Sequence, residues 1–253
     1  MPRLLGKYRG LLLPLLLVGG WEYLSRQDAA GAYAFVPLSS IGAALLELLG
    51  NGELLVNLAA SLARTSSGLA LGILFGVALG VWMALSPLAN RLIGPLFHSI
   101  RQVPMLGWIP LIAMWFGNGE FSKVLIVTLA ALYPMVLNTY QGFVHVEQRY
   151  REVAQVLVLS RPQQFVHVLL PAALPSIASG ALQTLAFAWV TTVGSELFLS
   201  SGAGLGNLMM NAEAGSRMEV IMLSVLCIGL CGYLMNLLFT RLSRHLLRWR
   251  ATR

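Results

Sequence analysis

Four histidines, His98, His145, His167 and His245, stand far apart in the chain, and no apolar stretch holds two carboxylates. General acid–base or metal chemistry needs such groups converging on one point, and the sequence offers no such cluster. Neither lysine, Lys7 or Lys123, stands in a Gly-x-x-x-x-Gly-Lys-Ser/Thr setting that would cradle phosphates. A nucleotide cannot be bound and hydrolysed by that route, so any driven process must draw its energy from another subunit or from an ion gradient. Cys227 and Cys231 lie one helical turn apart, a poor geometry for a disulfide, and two thiols alone make a weak metal site. They read as small packing residues.

Two places remain where polar chemistry is unusual for its surroundings. The first is Arg101-Gln102-Val103-Pro104, inside an otherwise apolar run. Counting from Leu92, Arg101 lies roughly 14 Å along a helix at 1.5 Å per residue, and Pro104 and Pro110 interrupt that helix. The stretch is expected to line a cavity, where an arginine suits an anion, or else Arg101 snorkels to the interface. The second is the polar stretch from Arg149 to Ala172. Arg149 to Leu157 forms a short amphipathic helix with Val153, Val156 and Leu157 toward one side. Ser160 and Gln163 have the form of a capping box, and Pro162 falls in the first turn, where its missing N–H costs nothing. A second helix therefore starts at Arg161, and Pro171 marks the start of the next apolar span. Helix, break and helix make a rigid knob shaped for a partner to push.

The elements that position these residues belong to a membrane. Apolar residues are 57% of the chain, charged residues 11%, and mean hydropathy is +0.74, too apolar for a wetted surface. Segments near the roughly 20 residues a bilayer demands number about six: 11–23, 58–84, 92–116, 124–143, 172–197 and 220–239. The expected fold is all-α, in one transmembrane domain spanning 1–253, with the knob at about 147–171 between spans four and five. Gly68, Gly72, Gly76 and Gly80 form one stripe where a neighbouring helix can approach closely.

Lys and Arg set the orientation. One side collects Arg3, Lys7, Arg9, Arg91, Arg149, Arg151, Arg161 and the arginines from Arg241 onward; the other holds only Arg26, Arg64, Lys123 and Arg217. Both termini and the knob are thus expected in the cytoplasm. The net charge of +7 is a topology and anionic-lipid signal, and without a basic patch interleaved with aromatics no nucleic acid is expected. Arg3, Lys7 and Arg9 before an apolar run also resemble a signal peptide, but its removal would leave five spans. In the long outside segment 27–57, Ser39-Ser40 is expected to cap a helix through Leu49 that Gly50-Asn51-Gly52 stops. Residues 204–211 read as another short helix, either sealing an outer mouth or packing as a plain loop.

The polar stretch and its neighbours resemble the permease subunits of ATP-binding cassette importers, in the branch serving nitrate, taurine and aliphatic sulfonates. That family's cytoplasmic signature is Glu-Ala-Ala, three residues, Gly, nine residues, Ile-x-Leu-Pro; here Glu152-Val153-Ala154 and Val168-Leu169-Leu170-Pro171 stand at its ends with spacing kept. The likeness extends over Ser61-Leu62-Ala63-Arg64 with Gly68, Ile109-Pro110-Leu111 with Trp115 to Glu120, Pro134 with Asn138-Thr139-Tyr140, and Gly204-Leu205-Gly206. The resemblance implies a type I importer permease in a bacterial inner membrane, taking a small, anionic solute. It implies as partners a cytoplasmic ATPase pair, an external or periplasmic substrate-binding protein, a second permease copy and membrane lipids. This chain would bind no cofactor, ATP being used by the partner. It also implies that Arg151, Glu152, Ala154, Val158, Ser160, Pro162 and Pro171 serve ATPase coupling, Glu152 orienting the knob and Ala154 packing where a larger side chain would not fit. Arg101, Gln102 and Pro104 are the pathway candidates.

One departure matters most. Val158 occupies the family's glycine position, and a β-branched residue resists left-handed backbone. The turn is therefore expected to use ordinary dihedrals around Ser160 and Pro162. The alternative from another class is a self-sufficient channel or gradient-driven carrier.

Overall fold

The computed structural model describes residues 3–26 and 36–246, and nearly all of them are helical. After α1 (Arg3–Ser25) and the short α2 (Leu38–Gly50) comes the longest helix, α3 (Glu53–Leu85). α4 (Pro87–Ile100) and α5 (Met105–Phe116) lead to α6 (Glu120–Val144). The knob holds α7 (Gln148–Val156) and α8 (Arg161–Gln164), which continues through a π turn (Phe165–Leu169) into α9 (Leu170–Phe198). α10 (Leu205–Ala214) and α11 (Met218–Leu246) complete the chain.

Among the described residues four segments are long and apolar enough to cross a membrane: α3, α6, Arg161–Phe198 and Met218–His245. α1, with Arg3, Lys7, Arg9 and Glu22 along it, is not among them. The third expected span is two helices rather than one. Pro104 has no N–H for a helical bond and turns Val103 away from helical backbone, so α4 stops at Ile100 and α5 restarts with Pro104 as its N-cap. Hydropathy counts apolar residues and says nothing of direction, which is why 92–116 read as one span.

The core is a three-helix sandwich. A Cβ on Gly68, Gly76 or Gly80 would lie 2.5–2.7 Å from Val127, Met135 or Thr139, and one on Gly72 would meet Ala131 closer still. The pairs advance together, so α3 and α6 run parallel with their backbones nearly touching, as the glycine stripe predicts. α9 runs antiparallel to both: Gly142 of α6 faces Ser176, Gly180 faces Asn138, and Thr65 of α3 donates to Thr192 at 2.8 Å.

At the end of the bundle away from the knob, α2, α10 and the start of α11 form a lid. Ile41, Ala44 and Leu48 of α2 pack with Leu205, Leu208, Val220 and Trp189. The expected α2 is present, but Pro37 rather than Ser39 or Ser40 is its N-cap, and Leu46 points outward. The fixed φ of proline suits a helix start, leaving the serines inside the first turn. Gly52, at φ +77°, turns the chain into α3. Arg217 ties the lid, donating to both Glu47 carboxylate oxygens at 3.0 and 2.7 Å and to Glu219 at 3.0 Å. Those bonds hold the Glu47 carboxyl below the usual carboxylate range.

Candidate functional sites

The knob is closed by its own backbone. Leu159 N–H donates to Ala154 O at 3.1 Å and Val158 N–H to Gln155 O at 2.9 Å, the paired bonds of a Schellman ending for α7. That motif needs left-handed backbone at Val158, and φ there is +50°. The expectation of ordinary dihedrals is therefore corrected: valine adopts the glycine conformation, because the two bonds closing α7 outweigh its local preference. The predicted capping box of α8 is present, with the Ser160 N–H donating to Gln163 Oε1 at 2.8 Å, and Pro162 sits in the first turn. Pro171 lies in the first turn of α9.

Within the knob Ala154 is 1% exposed, whereas Val156 and Val158 are 82% and 88% exposed, with Val153 and Leu157 also open. The small residue faces inward and the apolar side of α7 faces away from the bundle. Glu152 is exposed and makes no hydrogen bond with the described residues. Arg151 lies in α7, and its side chain is outside the described ones. Phe143, at the end of α6, stacks on Phe165 of the π turn with centroids 5.7 Å apart and planes 6° from parallel. The knob is thereby joined to both α6 and α9. A groove of about 450 Å³ between knob and bundle is bordered by Glu147, Tyr150, His167 and Pro175.

The break between α4 and α5 opens on a second site. Arg101 and Pro104 line a cavity of about 250 Å³ with Tyr133, Pro134, Gln183 and Phe187. Gln102, in the same turn, is exposed and does not border it.

A third site lies at the far end from the knob, among residues expected on the outside. Arg64 is 3% exposed and Lys123 and Glu196 are fully buried. Arg64 ion-pairs with Glu196 and makes a forked contact with Glu120 at 2.6–3.0 Å. Ser61 Oγ donates to Glu196 at 2.8 Å, and Lys123 donates to the Ser201 carbonyl. Three successive N–H groups at the start of α10 are received by this cluster: Gly204 by Asn57 Oδ1 at 2.7 Å, Leu205 by Ser61 Oγ at 2.9 Å and Gly206 by Glu196 at 2.9 Å. A carboxylate at a helix N-terminus is favoured by the helix dipole. A Cβ on Gly204 or Gly206 would lie 2.5 or 2.7 Å from Glu196, which accounts for both glycines.

Residues 68–251 match the family described as the inner membrane component of binding-protein-dependent transport systems. The chain belongs to that family. Over 97% of its length it is 33% identical to SsuC of Bacillus subtilis strain 168, named for aliphatic sulfonates transport, covering 88% of that protein. TauC of Escherichia coli K12, a taurine transport system permease protein, is 35% identical over 76% of this chain and 70% of its own. NrtB of Leptolyngbya laminosa, a nitrate import permease protein, is 35% identical over 72% of this chain and 64% of its own. The fold resembles a chain of the MetNI methionine ABC transporter in an inward-facing conformation, with a TM-score of 0.65 at 19% identity over 75% of this chain and 94% of that one. These findings bear out the importer-permease fold and the branch expected from the residues.

Three sequence motifs of this permease that lie far apart in the chain, Ser61 to Arg64, Gly117 to Glu120 and Gly204 to Gly206, meet at the buried charge cluster. Glu196, which joins them, was missed. The available signal was a carboxylate inside an apolar span, which in a membrane must find a partner, and Arg64 six residues into another span.

Proposed function

We propose that this importer permease conducts a small oxyanion of the sulfonate, taurine or nitrate kind, and that a separate cytoplasmic ATPase pair drives it through the knob. The observation that carries the proposal is the outward apolar edge of α7 and its turn, Val156, Leu157 and Val158, on a knob fixed to α6 and α9. Exposed apolar side chains on a rigid ledge beyond the membrane spans suit a groove on another protein. A push there moves α6 and α9 together, a mechanical linkage between bistable parts. Glu152 and Arg151 supply polar contacts at its edge, Ala154 fits the inner face, and Ser160, Pro162 and Pro171 hold the two helices at a fixed angle.

The solute class rests on Arg101 at the cavity and on the names of the relatives. An external binding protein delivers the solute and a second permease copy completes the conduit. The Lys and Arg distribution supports a plasma membrane orientation with knob and both termini in the cytoplasm. The test is a cysteine crosslink. In a chain carrying Cys227→Ser and Cys231→Ser, Val156→Cys is expected to crosslink to the ATPase in the assembled complex, with the yield changing between ATP-bound and free states. Crosslinking to lipid-facing reagents but never to the ATPase would remove the proposal.

A further inference from the structure

The cavity beside the helix break holds a directed donor as well as a charge. Gln183 lies near the middle of α9, is exposed, and borders the cavity with Arg101. Asn138 Nδ2 donates to the Pro134 carbonyl at 2.8 Å and to Gln183 Oε1 at 3.0 Å. With its oxygen engaged, Gln183 keeps its Nε2 N–H groups for another partner, and they make no hydrogen bond with the described residues. An exposed glutamine amide on a membrane-spanning helix, with a guanidinium at the same cavity, is costly against lipid tails and belongs beside water. Among the described residues no carboxylate borders the cavity. The polar side chains among its described lining residues are those of Arg101, Gln183 and Tyr133.

We propose that Arg101 and Gln183 form an oxyanion subsite within the conduit, with Asn138 as the positioning residue that decides which end of the Gln183 amide the solute meets. Arg101 supplies attraction, and two of the weakly basic oxygens of a sulfonate or nitrate accept from Arg101 and Gln183. Asn138 acts only through Gln183. The subsite rests on the reading of the chain as an anion importer, and the experiment separates the two.

Proteoliposomes holding the chain with its ATPase and binding protein are supplied with labelled ethanesulfonate, taurine or nitrate, and solute moved per ATP hydrolysed is measured. Gln183→Glu places a carboxylate where the donor was. It is expected to lower that ratio about tenfold or more, while stimulation of ATP hydrolysis by the binding protein is kept. Asn138→Leu is expected to lower the ratio less, and to have no further effect in a Gln183→Leu background. A merely structural role for Asn138 would give additive losses instead and would overturn its assignment. Should Gln183→Glu fail to assemble, Gln183→Leu, which only removes the donor, decides by the same ratio. Wild-type uptake with an unchanged ratio in Gln183→Glu, or in Gln183→Leu where that variant decides, overturns the subsite alone. Absence of ATP-dependent uptake of all three anions by the unaltered complex overturns the import reading and the subsite with it.

Discussion

Val158 holds a backbone conformation that glycine takes freely and a β-branched residue does not, at a cost of about 1–2 kcal/mol. Val158→Gly is therefore expected to stabilise the knob by about that amount, seen as slower hydrogen exchange over residues 154–160, with transport unchanged or slightly improved. Faster exchange would contradict the Schellman assignment. At Ala154 the direction reverses. With the side chain buried, Ala154→Leu is expected to loosen α7 by about 1–3 kcal/mol and to lower coupled ATP hydrolysis. Both positions stand out in the sequence, Val158 at the glycine place of the signature and Ala154 as its kept alanine. It did not reveal the dihedral at Val158, because the bonds that force it run from the last turn of α7 and depend on where that helix ends. Glu196 was hidden for a different reason: its side-chain partners Ser61 and Arg64 lie more than 130 residues away along the chain, and only the fold brings them to it.

Helices were the most legible elements, and their contacts were legible where small residues repeat. The four glycines of α3 announced a close neighbour, which the structure identifies as α6 in parallel. Even a single methyl is too much there: Gly72→Ala is expected to destabilise the purified protein by about 1–3 kcal/mol, read as an earlier thermal unfolding in detergent. The buried charge cluster ties α3, α6, α9 and α10 at the end opposite the knob. Removing one partner leaves charge without compensation, so Glu196→Ala is expected to cost about 3–5 kcal/mol in the same assay. The lid has its own latch, Arg217 with Glu47. Because the folded carboxyl titrates below its unfolded value, the latch contributes above the ordinary carboxylate pKa and is lost as pH falls through the lowered folded value. Protection of the α2 amides, exchange being taken relative to the intrinsic rate at each pH, is expected to fall as pH drops below the carboxylate range, and to fall less in Glu47→Gln. The break between α4 and α5 was the element least legible, since prolines at 104 and 110 both fit a kinked single span.

Across the whole molecule, two differently built ends are joined by the same rods. At one end a knob with an apolar outer edge sits on α6 and α9; at the other, a buried charge cluster fastens the opposite ends of those helices to α3 and α10. Between them the α4–α5 break leaves a cavity bordered by Arg101 and Gln183. In the function proposed above, this body supplies the levers and the conduit, and a partner supplies the driving step. The most direct measurement is uptake of labelled taurine, ethanesulfonate and nitrate into proteoliposomes, with the chain alone and with its ATPase, binding protein and ATP. No flux is expected from the chain alone under any ion gradient, and ATP-dependent uptake is expected from the complete set. Solute flux through the purified chain without the ATPase would contradict it.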